Sequence, residues 1–408
     1  MALTSRREPP KTARAAVLGA VSLALLAGCY EAHEGPGCEV LIAREDERVP
    51  YPWRGRVAVS PASGEIALGD GRGAGLPHVA WDGAAWNVAW GGRVAVLARD
   101  GRVRAIEARE DGGGNATALD ADACQRGVAA VGASPGRSVV SWLGGDGVVE
   151  GATEVIGVDA DVARGAQRWF VVTDASATTR GAALLAVSEV LDDSLGLARV
   201  RAVVGADVAA SARIVAAGEH AIVAWADREG IVQRVIAQDG ARAELRVMTA
   251  NVWSRGAIEA ARVSAPEDDE LRVAVAATDG VQVHVAITEP LARRVVAGPL
   301  AVARTTARGV RPSIATMPER RALAVCVPSG PGPWGGADVI DRVEVVVLDE
   351  DAEPLSRAVE VGAGGSVRAV SCAWSGQELF VVWWRVVDGR EEIVGRRVQI
   401  VERGSILI

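Results

Sequence analysis

The chain has 408 residues, 49% hydrophobic and 24% charged, with 47 Gly, 17 Pro and 12 Trp but only 2 Phe and 2 Tyr, and a formal net charge of -8. That composition excludes intrinsic disorder and collagen-like repeats, and no segment beyond the first thirty residues is apolar for long enough to span a bilayer. Lysine is nearly absent, Lys11 being the single one among 44 basic residues.

The first element in chain order is a leader. Arg6, Arg7, Lys11 and Arg14 precede an apolar run from Ala15 to Ala27, broken only by Gly19 and Ser22. This is the charged-then-apolar layout of an export signal. The run ends in Leu26-Ala27-Gly28-Cys29, which resembles the lipobox of bacterial lipoproteins. That resemblance implies cleavage before Cys29 and diacylglycerol on its thiol, so that residues 1–28 are a signal peptide and the acyl chains hold the rest at a membrane. In that family an Asp after the cysteine retains the product in the inner membrane; Tyr30 stands there instead, which implies the outer membrane of the cell envelope. Ser5 to Lys11 has a twin-arginine outline, but Pro9 occupies a place that calls for an apolar residue, so the segment reads as an ordinary basic region.

Loss of residues 1–28 removes four positive charges and one negative, taking the formal net charge from -8 to -11. Nucleic acid is excluded as a partner, because it requires a basic footprint. Lys11 leaves with the signal, so P-loop and Schiff-base chemistry are excluded as well. Residues 29–50, with His33-Glu34-Gly35-Pro36-Gly37 and the acidic Glu45 to Glu47, read as a polar tether, and 51–408 as the folded body.

The body repeats. Val79-Ala80-Trp81-Asp82-Gly83 to Trp90, Ile214-Val215-Ala216-Ala217-Gly218 to Trp225, and Ala373-Trp374-Ser375-Gly376 to Trp383 superpose without gaps. In each, a short apolar strand ends at a turn glycine and a tryptophan closes an alternating strand seven residues later. A copy one residue shorter runs from Val131 to Trp142, and weaker copies put Val187, Ala277 and Cys326 at the tryptophan position. Asp100-Gly101, Asp239-Gly240 and Asp388-Gly389 separate further alternating strands, a strong hairpin signal because such turns need positive φ. No stretch shows a capped helical period. The chain therefore reads as all-β, and repeats of this length that bury sheet faces only against neighbours fit a β-propeller of six to eight blades, seven preferred. The early hairpin of Arg56–Ser60 with Glu65–Leu68 precedes the first unit and is placed to complete the last blade.

With Cys29 assigned to lipid, Cys38, Cys124, Cys326 and Cys372 remain, an even number in an exported chain. Of three pairings, Cys326 with Cys372 is favoured because both fall at core-strand positions of neighbouring repeats, which leaves Cys38 with Cys124; buried free thiols are the alternative. No cysteine or histidine pair has metal-ligand spacing, and neither metal nor cofactor is expected. His78 and His220 read as surface or rim residues. Gly132-Ala133-Ser134-Pro135-Gly136 matches the nucleophile-elbow pattern, but it coincides with a repeat turn and no helix follows, so no catalytic residue is assigned. The acidic runs Glu267–Glu270 and Asp349–Glu353 read as solvated loops. Trp334 differs from the other tryptophans: it lies in the Gly/Pro-rich insertion Pro328 to Gly336, where it either contacts a partner or folds over a blade.

The function these features support is a membrane-anchored, non-enzymatic binding module for a protein or glycan. Val57-Ala58-Val59-Ser60-Pro61-Ala62-Ser63-Gly64-Glu65-Ile66 resembles one repeat of the quinoprotein-like propellers, which include an outer-membrane assembly lipoprotein; that resemblance implies a scaffold instead. A glycan-cleaving propeller of the sialidase type would need an arginine cluster, an acid and a tyrosine nucleophile, whereas the two tyrosines, Tyr30 and Tyr51, both lie near the N-terminal edge.

Overall fold

A computed structural model describes residues 57–402 apart from 73–74, 109–115, 123–126, 135–136, 144–145, 147, 166–167, 177–183, 192–197, 206–209, 238–239, 242–243, 250–257, 265–269, 305–310 and 331–339. Seven antiparallel sheets follow one another: blade 1 (78–108), blade 2 (116–156), blade 3 (158–205), blade 4 (210–249), blade 5 (258–304), blade 6 (313–363) and blade 7 (366–402). Within each, consecutive strands pair. The first strand of every blade lies against the first strands of the two neighbouring blades, so seven inner strands form a closed ring. The protein is a seven-bladed β-propeller.

Ring closure uses the N-terminal segment. Val57–Pro61 pairs antiparallel with the last strand, Arg390–Glu402, with Val57 opposite Glu402 and Pro61 opposite Val398. Ile66–Asp70 pairs with the same edge further along, Ile66 opposite Gly395 and Asp70 opposite Glu392. These two segments do not form the expected hairpin. They lie in line as one interrupted strand, and the bend between them is held by Ala62 N donating to Arg397 O at 2.9 Å and Arg397 N donating to Ser63 Oγ at 3.2 Å. An outermost blade edge is thereby paired rather than left open, the main hazard of a sheet protein.

The local signals act as physical chemistry requires. Gly83, Gly218 and Gly376 turn between first and second strands at φ of 90°, 59° and 86°. Asp388 and Gly389 both have positive φ, 50° and 75°, as a two-residue type I′ hairpin demands. Trp90, Trp225 and Trp383 lie on second strands and are fully buried, and Ala277 and Cys326 also sit on second strands. Trp142 and Val187 do not: they lie on the third strands of blades 2 and 3. The second strand of blade 3 instead carries the buried Trp169 and Phe170. An apolar strand bounded by turns looks alike in either place, so the copies were legible but their position within the blade was not.

Most of the apolar core lies between blades. Phe380 of blade 7 stacks on Trp86 of blade 1 with ring centroids 5.3 Å apart, and Trp383 packs with Cys326, Val345 and Val361 of blade 6. Burying each such aromatic contributes on the order of 2–3 kcal/mol, which only a complete neighbour supplies.

Candidate functional site

The inner strands are mostly Val, Ala and Ile, yet each carries a polar side chain toward the ring: His78 (blade 1), Asp120 (2), Asp161 (3), Arg213 (4), Glu259 (5), Ser313 (6) and Ser371 (7). Four of these tie their blade to the next by accepting a hydrogen bond from its inner-strand backbone. Asp120 Oδ2 accepts from Arg164 N at 2.8 Å, Asp161 Oδ2 from Ile214 N at 2.9 Å, Ser313 Oγ from Cys372 N at 3.0 Å and Ser371 Oγ from Val79 N at 3.2 Å. Inner-strand N–H groups that face a neighbouring blade rather than a paired strand are satisfied in this way.

Charged members of the column converge on the axis. Arg213 Nε stands 3.8 Å and Arg311 Nε 3.3 Å from the same oxygen, Glu259 Oε2. Arg311 precedes the inner strand of blade 6, Ser313–Met317. His78 feels the charge of Arg213, and Glu259 that of Asp161. Blades 1 and 4 are not neighbours, nor are blades 3 and 5, so these couplings run across the central channel. Arg213 and Arg311 side chains are each 7% exposed, while Glu259 keeps 18% of its side chain exposed.

Enclosure sets the protonation of the acids and the imidazole. Burial, reinforced by Asp161 and opposed by Arg213, pushes Glu259 up to about 8. Burial likewise raises Asp161, against the pull of Arg213 and of the Ile214 N–H. Burial and then the Arg213 charge lower His78 to about 3, so its ring is neutral at physiological pH. His78 is thus a buried channel residue, not the surface or rim residue its sequence context suggested; the inner strand carries it inward with Val79 and Ala80. His220 is half-buried beside the Gly218 turn, and His284 meets Asp279 Oδ2 at 3.1 Å.

Cys29, Cys38, Cys124 and Trp334 lie outside the described residues. Cys326 and Cys372 do meet between blades 6 and 7, as their repeat positions implied, but as buried free thiols rather than as a disulfide, Cys372 Sγ donating to Ser313 O at 3.7 Å. Burial pushes the Cys326 thiol well above its usual value, which suppresses the thiolate that oxidation requires. The acidic turn Asp349–Glu353 is organised by Asp349 Oδ1, which accepts from Asp351 N at 3.0 Å and Glu353 N at 2.8 Å, and Glu350 and Asp351 face Arg272. Ser134 ends the second strand of blade 2 beside the turn to the third. A separate cleft of about 610 Å³ follows the closure seam, where Arg385 bridges Glu65 at 2.8 Å and Glu392 at 3.2 Å.

The channel cluster was missed in sequence reading, although its signal was there. His78, Arg213 and Ser371 each stand five residues before the turn glycine of the three gapless copies, a polar column in an otherwise apolar strand.

No family model matches the sequence, and no curated protein matches it. Solved structures do match the fold. The RRP9 WD40 repeats align at a TM-score of 0.56 and 13% identity over 84% of this chain and 100% of that one. U3-55K aligns at 0.53 and 13% over 83% and 99%, and the Neurospora crassa Pan2 WD40 domain at 0.51 and 11% over 85% and 97%. At such identities the likeness is one of architecture, and it independently supports the propeller.

Proposed function

We propose that this chain is a lipid-anchored envelope protein of the outer membrane whose propeller is a non-enzymatic binding module for a protein or glycan. The observation that carries the binding role is the closed seven-bladed ring itself, a rigid disk that presents inter-blade loops around a polar channel mouth, the usual place for function on such a scaffold. Anchoring rests on Cys29 at the end of its apolar run. Residues 30–56 separate that cysteine from the rim strand of blade 7, and at about 3.3 Å per residue they reach up to roughly 90 Å, enough for the disk to stand clear of a bilayer. In sequence, Trp334 falls between the second and third strands of blade 6, Ala322–Ser329 and Arg342–Asp349.

The test has two arms. Cys29→Ala should move the protein from the membrane fraction to the soluble fraction and abolish labelling by palmitate; unchanged membrane association defeats the anchor. For binding, cross-linking in intact cells should recover one stoichiometric partner with the wild type and lose it with Trp334→Ala. Hydrolysis of any member of a glycan panel by the purified chain would overturn the non-enzymatic reading. The assembly scaffold is the alternative that the same propeller fold suits, and recovery of several partners rather than one would favour it.

A further inference from the structure

We propose that the central channel is a binding site for a small free monocarboxylate, held by the guanidinium groups of Arg213 and Arg311 and faced by the His78 imidazole. The inference is independent of the membrane anchor. It starts from buried nitrogens that make no hydrogen bond: His78 Nε2, and Arg213 Nε and Arg311 Nε, whose one carboxylate contact is the ion pair with Glu259 Oε2 at 3.8 and 3.3 Å. Their residues are 6%, 7% and 6% exposed. Native proteins leave few such groups unpaired, and a buried charged donor left so is costly. One oxygen, Glu259 Oε2, lies near both guanidiniums, and Arg213 Nη1 donates to Ala212 O at 2.7 Å. Two guanidiniums therefore converge on a single carboxylate oxygen with neither Nε–H in a hydrogen bond.

Geometry and charge select the ligand class. Glu259 keeps 18% of its side chain exposed beside the two guanidiniums. A carboxylate matches the guanidinium fork in geometry. The groups facing Glu259 are Arg213 from blade 4, Arg311 from blade 6 and Asp161 from blade 3, with His78 of blade 1 beyond Arg213. With Glu259 protonated, the two guanidinium charges are opposed by Asp161 at most, which leaves positive charge in excess and suits an anion. Above about 8, where Glu259 ionises, the ligand must displace a resident carboxylate. Binding should therefore take up one proton.

The test is calorimetric titration of acetate into the full chain in detergent, in buffers free of other small anions, from pH 6 to pH 9. Saturable one-to-one binding is expected at pH 6, with one proton taken up at alkaline pH and affinity falling about tenfold per pH unit above 8. Arg311→Gln and Arg213→Gln should each weaken acetate tenfold or more, and Glu259→Gln should keep its pH 6 affinity at pH 9. Absence of saturable binding at pH 6, or unchanged affinity in both arginine variants, would overturn the proposal. Should the arginine variants unfold by circular dichroism, the Glu259→Gln profile decides: an affinity that still falls above pH 8 refutes the site.

Discussion

A Cβ added at Gly362, on the outer strand of blade 6, would stand 2.7 Å from Cζ2 of Trp383, the repeat tryptophan on the second strand of blade 7. The same arrangement recurs one blade on, where a Cβ at Gly69 would lie 3.2 Å from Cζ2 of Trp90. In both, the repeat tryptophan of one blade is seated on a glycine in the outermost strand of the blade before it. The glycine is needed for room, since its φ is not in the left-handed region.

Gly362→Ala should therefore destabilise the protein by about 1–3 kcal/mol through overpacking, and Gly69→Ala by less. Trp383→Ala should cost about 3–5 kcal/mol, because the cavity lies in a core that cannot collapse across two blades. Denaturant unfolding with unchanged slope measures all three.

Ser313→Ala and Ser371→Ala each remove the acceptor for an inner-strand N–H, that of Cys372 and of Val79 respectively. An unmet buried donor costs about 1–3 kcal/mol. Hydrogen exchange should show the loss locally, as faster exchange of the Cys372 or Val79 amide in the matching variant. Unchanged protection of both amides would mean the hydroxyls do not tie the blades.

The pH dependence of stability has two opposed contributions. His78 has a folded value near 3 against 6.5 when unfolded; stability is full above 6.5 and falls as pH drops from there toward 3. Glu259 has a folded value near 8 against 4.5. Its unfolded form releases a proton first, so stability is lost as pH rises from 4.5 to 8. Each pH unit inside such a window is worth at most about 1.4 kcal/mol. Glu259→Gln should therefore gain on the wild type between pH 5 and pH 8, as midpoints at the two pH values will show; an equal difference at both would contradict the raised carboxyl.

Cys326 and Cys372 should resist an external disulfide reagent in the folded protein and react once it is denatured. Mass spectrometry after alkylation should find both residues modified as thiols. A Cys326–Cys372 bridge in the native protein would contradict the pair of free thiols.

Strands, turns and the repeat were legible in the sequence because their causes are local. Alternating apolar residues, an Asp-Gly pair or a turn glycine act within a few residues, and Gly83, Gly218 and Gly376 adopt the positive φ their context demanded. The polar column was half legible: His78, Arg213 and Ser371 share an offset from those glycines, but a single copy looks like a surface position. Tertiary structure alone decided the rest. The placement of Trp142 on a third strand depends on which strand enters the ring first, and closure depends on Val57–Pro61 finding Arg390–Glu402 at the far end of the chain. The meeting of His78, Asp161, Arg213, Glu259 and Arg311 depends on blades that are not neighbours facing one axis. Burial and mutual charge, rather than residue type, then set the protonation of His78 and Glu259, and both come into being only when the seventh blade shuts.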